Sequence, residues 1–215
     1  MPAWRVQHHS GDVGAFHARG IPADRTATFF RADSPTLVLG SSQRRDSIDD
    51  EAAALHGVDV VRRRSGGGGV LLWPGEFVWL DLEIPASDVL WSSDIGHSMW
   101  WVGELWCAAL ADSEPRATVY RGRMQRTRWS SDVCFAGTGP GEVLVDSAKL
   151  VGISQRRTRE AARFQTMLHL RWRPEVVASL VADKPPIADL VPVVTTTAAS
   201  AGHVIAGLTA GLQRL

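Results

Sequence analysis

The chain has 215 residues, of which 45% are hydrophobic and 21% charged, a composition that excludes a disordered chain and allows a well-formed core. Its 23 basic and 23 acidic residues cancel, so no overall electrostatic field favours nucleic acid or a membrane surface as a partner. Two cysteines are too few for a disulfide framework, and the N-terminus has no apolar region of the kind a signal peptide needs. No apolar run approaches the about 20 residues of a membrane helix, so we expect a cytoplasmic protein.

The first predicted elements lead up to a glycine-rich loop. Residues 37–39 read "LVL" and predict a short buried strand. Ser47 is expected to cap a helix that has acidic residues in its first turn and ends at Gly57. The β-branched sequence of residues 58–61 then predicts a second strand, which runs directly into the glycines.

The middle of the chain predicts a strand, a helix and a hairpin. Residues 76–85 alternate in the way typical of a strand, and apolar residues at helical spacing predict a helix over residues 93–111. An arginine-rich polar stretch follows at residues 116–130. Residues 142–146 and 149–155 are then predicted to form the two strands of a β-hairpin.

The last predicted elements set the fold class. Residues 162–172 predict another strand, Pro174 begins a short helix, and residues 195–212 contain a terminal helix. Strands that pair through hairpins, mixed with helices and with few β-α-β repeats, favour an α+β fold. We therefore predict a mixed, largely antiparallel central sheet flanked by helices.

The glycine-rich loop lies in the stretch "VVRRRSGGGGVLL", residues 60–72. It lacks the lysine of the phosphate-binding loop of nucleotide triphosphatases, and leucines at positions 71 and 72 rule out the dinucleotide fingerprint. Glycines let backbone N–H groups approach an anion, and arginines add bidentate charge. Either the loop binds a ligand with an anionic head and an apolar tail, with Leu71 and Leu72 beside the tail, or it is a hairpin turn with solvated arginines.

Four blocks of sequence together resemble one family. "RRRSGGGGV" resembles the arginine–serine–glycine signature of the lipoate–protein ligases and octanoyltransferases, which are related to biotin–protein ligases. "LVLGSSQ", "VDSAKLVGISQRR" and "LVPVVTTT" resemble three further blocks of that family, in the family's order. The resemblance implies a biotin/lipoate protein ligase-like fold. It also implies a single catalytic domain over residues 1–215, with a family-like core over about 37–197 and a C-terminal helix over about 198–215.

Members of this family attach a lipoyl or octanoyl group to a lysine of a lipoyl domain. The resemblance therefore implies an enzyme whose partners are a lipoyl-domain acceptor and lipoate or octanoate, with no nucleic acid, no membrane and a monomeric state. A ligase would form an acyl-adenylate and need ATP with Mg²⁺. A transferase would need no cofactor and would take the acyl chain from an acyl carrier protein.

The family motifs assign roles to residues on two segments. In the glycine loop, the residues expected to hold the phosphate or the acyl carbonyl region are Arg62, Arg63, Ser65, Gly66, Gly67 and Gly68. In the hairpin, Lys149 matches the motif lysine. It is one of only two lysines in this arginine-rich chain, which makes it a candidate for amine chemistry. It is expected to stabilise the charge that develops during acyl transfer. Gly152 would let the backbone approach the ligand, and Gln155 would lie alongside.

Cys134 separates the possible activities. In one octanoyltransferase branch, a Cys-Phe pair at this distance before the motif lysine carries the acyl group as a thioester, whereas a free cysteine often serves only as a small buried hydrophobe. Many ligases carry His-Asp and Asn-Asp where this chain has Leu72-Trp73 and Gly141-Glu142, which weakens the case for ATP chemistry.

Three hypotheses therefore stand: a lipoate–protein ligase first, a Cys134-dependent octanoyltransferase second, and a degenerate module that binds an acyl or adenylate ligand without turnover third. The histidines form no metal-ligand spacing with carboxylates or cysteines, so we expect no structural zinc.

Overall fold

Ten strands and six helices make up the computed structural model, which describes residues 3–215. The strands are β1 (Arg5–Gly11), β2 (Thr26–Ala32), β3 (Thr36–Leu39), β4 (Asp59–Arg62), β5 (Val70–Leu72), β6 (Phe77–Pro85), β7 (Ala117–Val119), β8 (Val143–Val145), β9 (Ala148–Arg157) and β10 (Ala161–His169). The helices are α1 (Val13–Ala18), α2 (Asp50–Leu55), α3 (Trp100–Ala109), α4 (Pro174–Leu180), α5 (Ile187–Leu190) and α6 (Ala201–Leu212).

The strands form two sheets. The larger has the order β1-β2-β6-β10-β9-β8-β7, and every neighbouring pair in it is antiparallel except β1 and β2. The smaller has the order β4-β3-β5, with β3 parallel to β4 and antiparallel to β5. The predicted α+β class with a mixed, largely antiparallel sheet is confirmed.

The two long helices cover one face of the larger sheet. Trp106 of α3 and Leu110, the residue after its last turn, are fully buried there. They form one cluster with Leu80 of β6, Phe164 of β10 and Leu208 of α6. Glycines allow α6 to lie close to α3, since a β-carbon at position 207 would lie 2.7 Å from the carbonyl oxygen of residue 109. Within residues 3–215, no helix is long and apolar enough to cross a membrane.

The opposite face of the larger sheet carries buried charges. Asp81 and Glu83 of β6 are fully buried, and Arg163 of β10 lies 3.6 Å from the first carboxylate and 2.8 Å from the second. Burial and, to a lesser extent, the nearby carboxylate of Asp81 together raise the pKa of Glu83 to about 7. Ion pairing of this kind is how a sheet accommodates charges away from water.

Most predicted elements are present, with shifted ends. The hairpin of β8 and β9 is confirmed, and its turn includes Asp146 at a positive φ of 54°. The prediction that Ser47 caps the first predicted helix is wrong: Asp49 caps α2, because its side chain accepts from the backbone N–H of Ala52. The predicted helix over 93–111 is shorter, since α3 begins at Trp100 after a 3-10 turn.

Candidate active site

A cavity of about 730 Å³ lies between the glycine-rich loop, the segment 124–142 and the edge of β9. The loop contributes Gly66, Gly67 and Gly68 to its wall. Other residues of its wall come from separate elements and are Gln43, Met99, Met124, Arg126, Cys134, Glu142, Lys149, Ser154 and Gln155. Pockets of this size accommodate a small-molecule ligand or the acyl arm of a cofactor, so this is the candidate active site.

The buried side chain of Arg63 holds the glycine loop in place. Its Nη2 donates to the carbonyl oxygens of Gly66 at 2.7 Å and Gly68 at 2.9 Å. Its Nη1 donates to the carbonyl oxygen of Val38 on β3 at 3.0 Å. The guanidinium therefore ties the loop to the smaller sheet, and Gly67 between the two bonded carbonyls takes a positive φ of 96°, which favours glycine.

The loop lies directly against Gly40, at the end of β3. A β-carbon built at position 40 would lie 1.7 Å from the carbonyl oxygen of Gly67, so the two backbones touch. This close approach requires glycine at position 40, because any larger side chain would push the glycine loop away from the end of β3.

A Gly40→Ala substitution should therefore displace the glycine loop. The clash is with backbone rather than with a flexible side chain, so we expect a loss of about 2–4 kcal/mol in the free energy of unfolding. Gly66→Ala is the matched control: Gly66 lies in the loop that Gly40 contacts, and a β-carbon there meets nothing within 4 Å. Urea unfolding of both variants checks this, and equal stabilities would contradict it.

Cys134 lies on the wall opposite the loop. It begins a 3-10 turn, Cys134–Ala136, and its backbone N–H donates to the carbonyl oxygen of Gly69 at 2.9 Å. Its side chain faces the loop, with Sγ 4.0 Å from Nη2 of Arg63. Sγ also lies 3.6 Å from the position that a β-carbon of Gly67 would occupy. The sulfur is half-buried at the cavity wall, beside the guanidinium of Arg63.

Lys149 and Glu142 form a buried ion pair behind the cysteine. Nζ of Lys149 lies 2.8 Å from the carboxylate of Glu142 and donates to the carbonyl oxygen of Cys134 at 2.9 Å. The carboxylate also accepts from the backbone N–H groups of Gly139 at 2.6 Å and Ile153 at 3.2 Å. Burial raises the pKa of Glu142, and the ammonium and the backbone donors limit that rise. The pair fixes the lysine against the backbone of the cysteine.

Ser65 connects the loop to the larger sheet. Its hydroxyl donates to Oε1 of Gln165 at 2.8 Å and lies 3.1 Å from the hydroxyl of Ser154. The amide nitrogen of Gln165 in turn donates to Nδ1 of His17 at 3.1 Å. Burial and three nearby arginines lower the pKa of His17 to about 3, so the ring is neutral and can accept that hydrogen bond.

His169 supports the turn of Cys134 from the other side. The buried ring lies 4.6 Å from the ring of Phe135 and 4.9 Å from that of Trp172, measured between centroids. Its Nε2 has no hydrogen-bond partner among the described residues. Burial lowers the pKa of His169 to about 3, so the folded protein holds this ring neutral.

The depressed pKa of His169 predicts a loss of stability in mild acid. The unfolded chain binds this proton with a pKa near 6.5, whereas the folded protein does not, so stability present above 6.5 is lost as the pH falls towards 3. From pH 7 to pH 5 this one residue should cost about 2 kcal/mol. His169→Phe should remove that part of the pH dependence in urea unfolding, and the exposed His203→Gln should not. An unchanged pH dependence in His169→Phe would contradict it.

The structure brings together only part of the predicted site. Cys134, Lys149, Gln155 and the three loop glycines line the cavity. Arg62 points away from it, and its Nη1 donates to the carbonyl oxygens of Gly40 at 2.7 Å and Gln43 at 2.6 Å. Arg62 and Arg63 thus both bind backbone carbonyls of the protein itself.

Leu71, Leu72 and Gly152 lie in the core around the site, whereas the side chain of Gln155 at the cavity wall is held by other protein groups. Leu71 and Leu72 of β5 are buried in two apolar clusters and do not line the cavity. Gly152 makes room for a ring, because a β-carbon there would lie 3.0 Å from Phe135. The side chain of Gln155 is bound at both ends: its amide donates to the carbonyl oxygen of Ile95 at 2.7 Å, and its Oε1 accepts from Ser98 at 3.0 Å.

Some residues of the cavity wall carry no signal that sequence reasoning used. Met99 and Met124 supply apolar surface from α3's preceding turn and from the arginine-rich stretch. Glu142 was noted only as a departure from the family, although a carboxylate seven positions before the motif lysine is compatible with an ion pair. Within residues 3–215, no group of three or more His, Cys, Asp or Glu side chains is placed to hold a metal ion.

Comparison with solved structures identifies the fold. The lipoate protein ligase of Thermoplasma acidophilum with bound lipoic acid superposes with a TM-score of 0.76 at 15% identity, over 100% of this chain and 85% of the other. A structure of the same organism's bi-partite ligase and its E2 lipoyl domain gives 0.73 at 13% identity, over 100% and 84%. Lipoate-protein ligase A bound with ATP gives 0.73 at 14% identity, over 99% and 84%. The fold is that of the lipoate protein ligases.

Sequence comparison gives the family. The model of the lipoyl protein ligase A/B catalytic domain matches residues 15–190. Octanoyltransferase LipM of Kyrpidia tusciae is 30% identical, over 84% of this chain and 71% of that protein. The chain belongs to the lipoyl protein ligase A/B catalytic domain family, which confirms the resemblance seen in the four sequence blocks.

Proposed function

We propose that the protein is an octanoyltransferase that moves an acyl chain from a thioester donor to a lysine of a lipoyl domain by way of Cys134. The observation that carries this proposal is the position of the sulfur. It lies at the wall of the cavity, faces the glycine loop and has the guanidinium of Arg63 4.0 Å away. Reactive cysteines lie in partly exposed, electropositive surroundings of this kind, whereas structural cysteines are buried and inert.

The other activity that the family allows is the ATP-dependent ligase. The carboxylates at the cavity wall are Glu142 and Asp132, and the first is committed to Lys149. Mg²⁺ is bound through carboxylates and substrate phosphates, and these residues do not form a ready donor set for it. The relative with an assigned activity in the sequence comparison is an octanoyltransferase. Both observations favour the transferase.

The proposed reaction has two steps, each of which exchanges one acyl bond for another. The thiolate of Cys134 attacks the carbonyl carbon of the donor thioester, forms a new thioester and releases the donor thiol. The neutral amine of the acceptor lysine then attacks the Cys134 thioester, forms an amide and releases the thiolate. One proton leaves the amine in the second step, and no electrons are gained or lost.

The residues around the sulfur would stabilise the oxyanion in both steps. The ammonium group of Lys149 has three N–H donors. One binds Glu142 and one binds the carbonyl oxygen of Cys134, so the third is left for an oxygen in the cavity. The loop glycines present backbone to the same space, where N–H groups can approach closely. Donors fixed in advance of the reaction are the usual source of such stabilisation.

Mass spectrometry of the intact protein separates the two activities. Wild-type protein is incubated without acceptor, either with an octanoyl carrier-protein thioester or with octanoate, ATP and Mg²⁺. We expect one octanoyl adduct from the thioester donor alone, released by hydroxylamine as a thioester is, and its transfer to an apo lipoyl domain added later. Acceptor modification that requires ATP would overturn the proposal in favour of the ligase.

A further inference from the structure

An arginine-rich rim borders the cavity and has no role in the chemistry above. It consists of residues 121–128, "RGRMQRTR", which are all exposed and include four arginines. Arg121 is paired with Glu104 of α3. Arg123, Arg126 and Arg128 have no ion pair within residues 3–215, and Arg128 lies over the ring of Trp129. The chain is neutral overall, so this is a local concentration of positive charge.

The backbone of the rim is held in place next to the catalytic turn. Gln125 and Thr138 exchange two backbone hydrogen bonds, of 2.7 and 2.9 Å. The hydroxyl of Thr127 donates to the carbonyl oxygen of Ala136 at 2.9 Å. The hydroxyl of Tyr120 donates to the carbonyl oxygen of Arg123 at 2.7 Å. The arginines therefore extend from a fixed strip that runs beside the turn of Cys134, instead of from a free loop.

The rim also reaches into the cavity. Met124 and Arg126 line its wall together with Cys134, so the rim and the sulfur border the same cavity. A patch of fixed charge at such a mouth steers partners of opposite charge and raises their rate of association.

We propose that the rim is the docking surface for the acidic carrier protein that delivers the acyl thioester. This rests on the proposed transferase function. An acidic carrier surface would suit the rim because its carboxylates would pair with the exposed guanidinium groups of Arg123, Arg126 and Arg128. The acceptor suits it less, because its reacting group is a lysine whose ammonium form is repelled by unpaired arginines.

The test compares two donors in the first step alone, with no acceptor present. One is an octanoyl carrier protein, and the other is the octanoyl thioester of N-acetylcysteamine, which is small and uncharged. The variants are Arg123→Glu and Arg123→Glu/Arg128→Glu, neither of which touches the cavity wall. Arg31→Glu, an exposed arginine on β2 near the opposite edge of the sheet, is the matched control.

We expect the second-order rate constant for acylation of Cys134 by the carrier protein to fall about 10-fold in the single variant and further in the double variant. The rate with the small thioester should stay within about 2-fold, and the loss with the carrier should shrink at high salt. Variants that behave like Arg31→Glu would overturn the docking surface. An equal loss with both donors would also overturn it, because the rim would then act on the chemistry.

Two further outcomes would each overturn the docking surface for a different reason. A normal first step with slow transfer to the lipoyl domain would overturn the proposal, since the rim would then serve the acceptor. Wild-type protein that reacts with neither donor would remove the transferase function itself, and the docking surface with it. That result is distinct from one in which wild type reacts and the variants are unaffected.

Discussion

Cys134→Ser is expected to lose acyl transfer by at least about a thousandfold. A serine hydroxyl has nearly the shape of the thiol but is a far weaker nucleophile, and neither Arg63 nor Lys149 is a base that could remove its proton. Because the side chain is half-buried and its backbone bonds are kept, the free energy of unfolding should change by less than about 1 kcal/mol. Single-turnover transfer and urea unfolding measure the two quantities.

The control for this variant is Cys107→Ser. Cys107 lies on α3, packs against the main apolar cluster, and burial raises the pKa of its thiol to about 11, so it is not a nucleophile at neutral pH. It should keep wild-type transfer rates. If Cys134→Ser transfers octanoate at the wild-type rate, the sulfur carries no acyl group, and the family's adenylate route becomes the explanation.

Local patterns predicted the second half of the fold better than the first. The hairpin of β8 and β9 and the strand β10 have strong strand sequences, and their pairing partners are neighbours in the chain. β1 and β2 were not predicted. β1 is an edge strand, mostly exposed and rich in polar residues, and it pairs in parallel with β2 through a connection that includes α1. A strand of that kind is stabilised by its neighbour, and its own sequence carries little signal.

The glycine loop shows what sequence reasoning can and cannot give about the site. Its glycines, Cys134 and Lys149 were placed in one site through resemblance, and they line one cavity. The direction of a side chain was not available. Arg62 and Arg63 were expected to face a ligand, but each donates to backbone carbonyls that no sequence pattern reveals. An arginine beside glycines can serve the loop as well as a bound anion, and only the packing decides between them.

Lys149→Met is expected to lower both stability and transfer. It leaves the buried carboxylate of Glu142 without its cation, and breaking one side of a buried pair costs about 3–5 kcal/mol. Loss of the oxyanion donor should slow transfer by about a hundredfold to a thousandfold. Burial already raises the pKa of Glu142, and the lost ammonium would raise it more. The variant should therefore be closest to wild type in stability below the unfolded pKa near 4.5, and the deficit should grow as the pH rises.

The double variant Lys149→Met/Glu142→Gln separates the two losses. A neutral glutamine needs no cation, and its single amide oxygen can still accept from the backbone N–H of Gly139 or of Ile153, so part of the stability should return. Transfer should not return, because the donor at the cavity is still missing. Glu142→Gln alone, with the lysine present, should keep more activity than either variant that lacks it. If the double variant recovers transfer together with stability, Lys149 is a structural residue and the oxyanion must be held by the glycine loop alone.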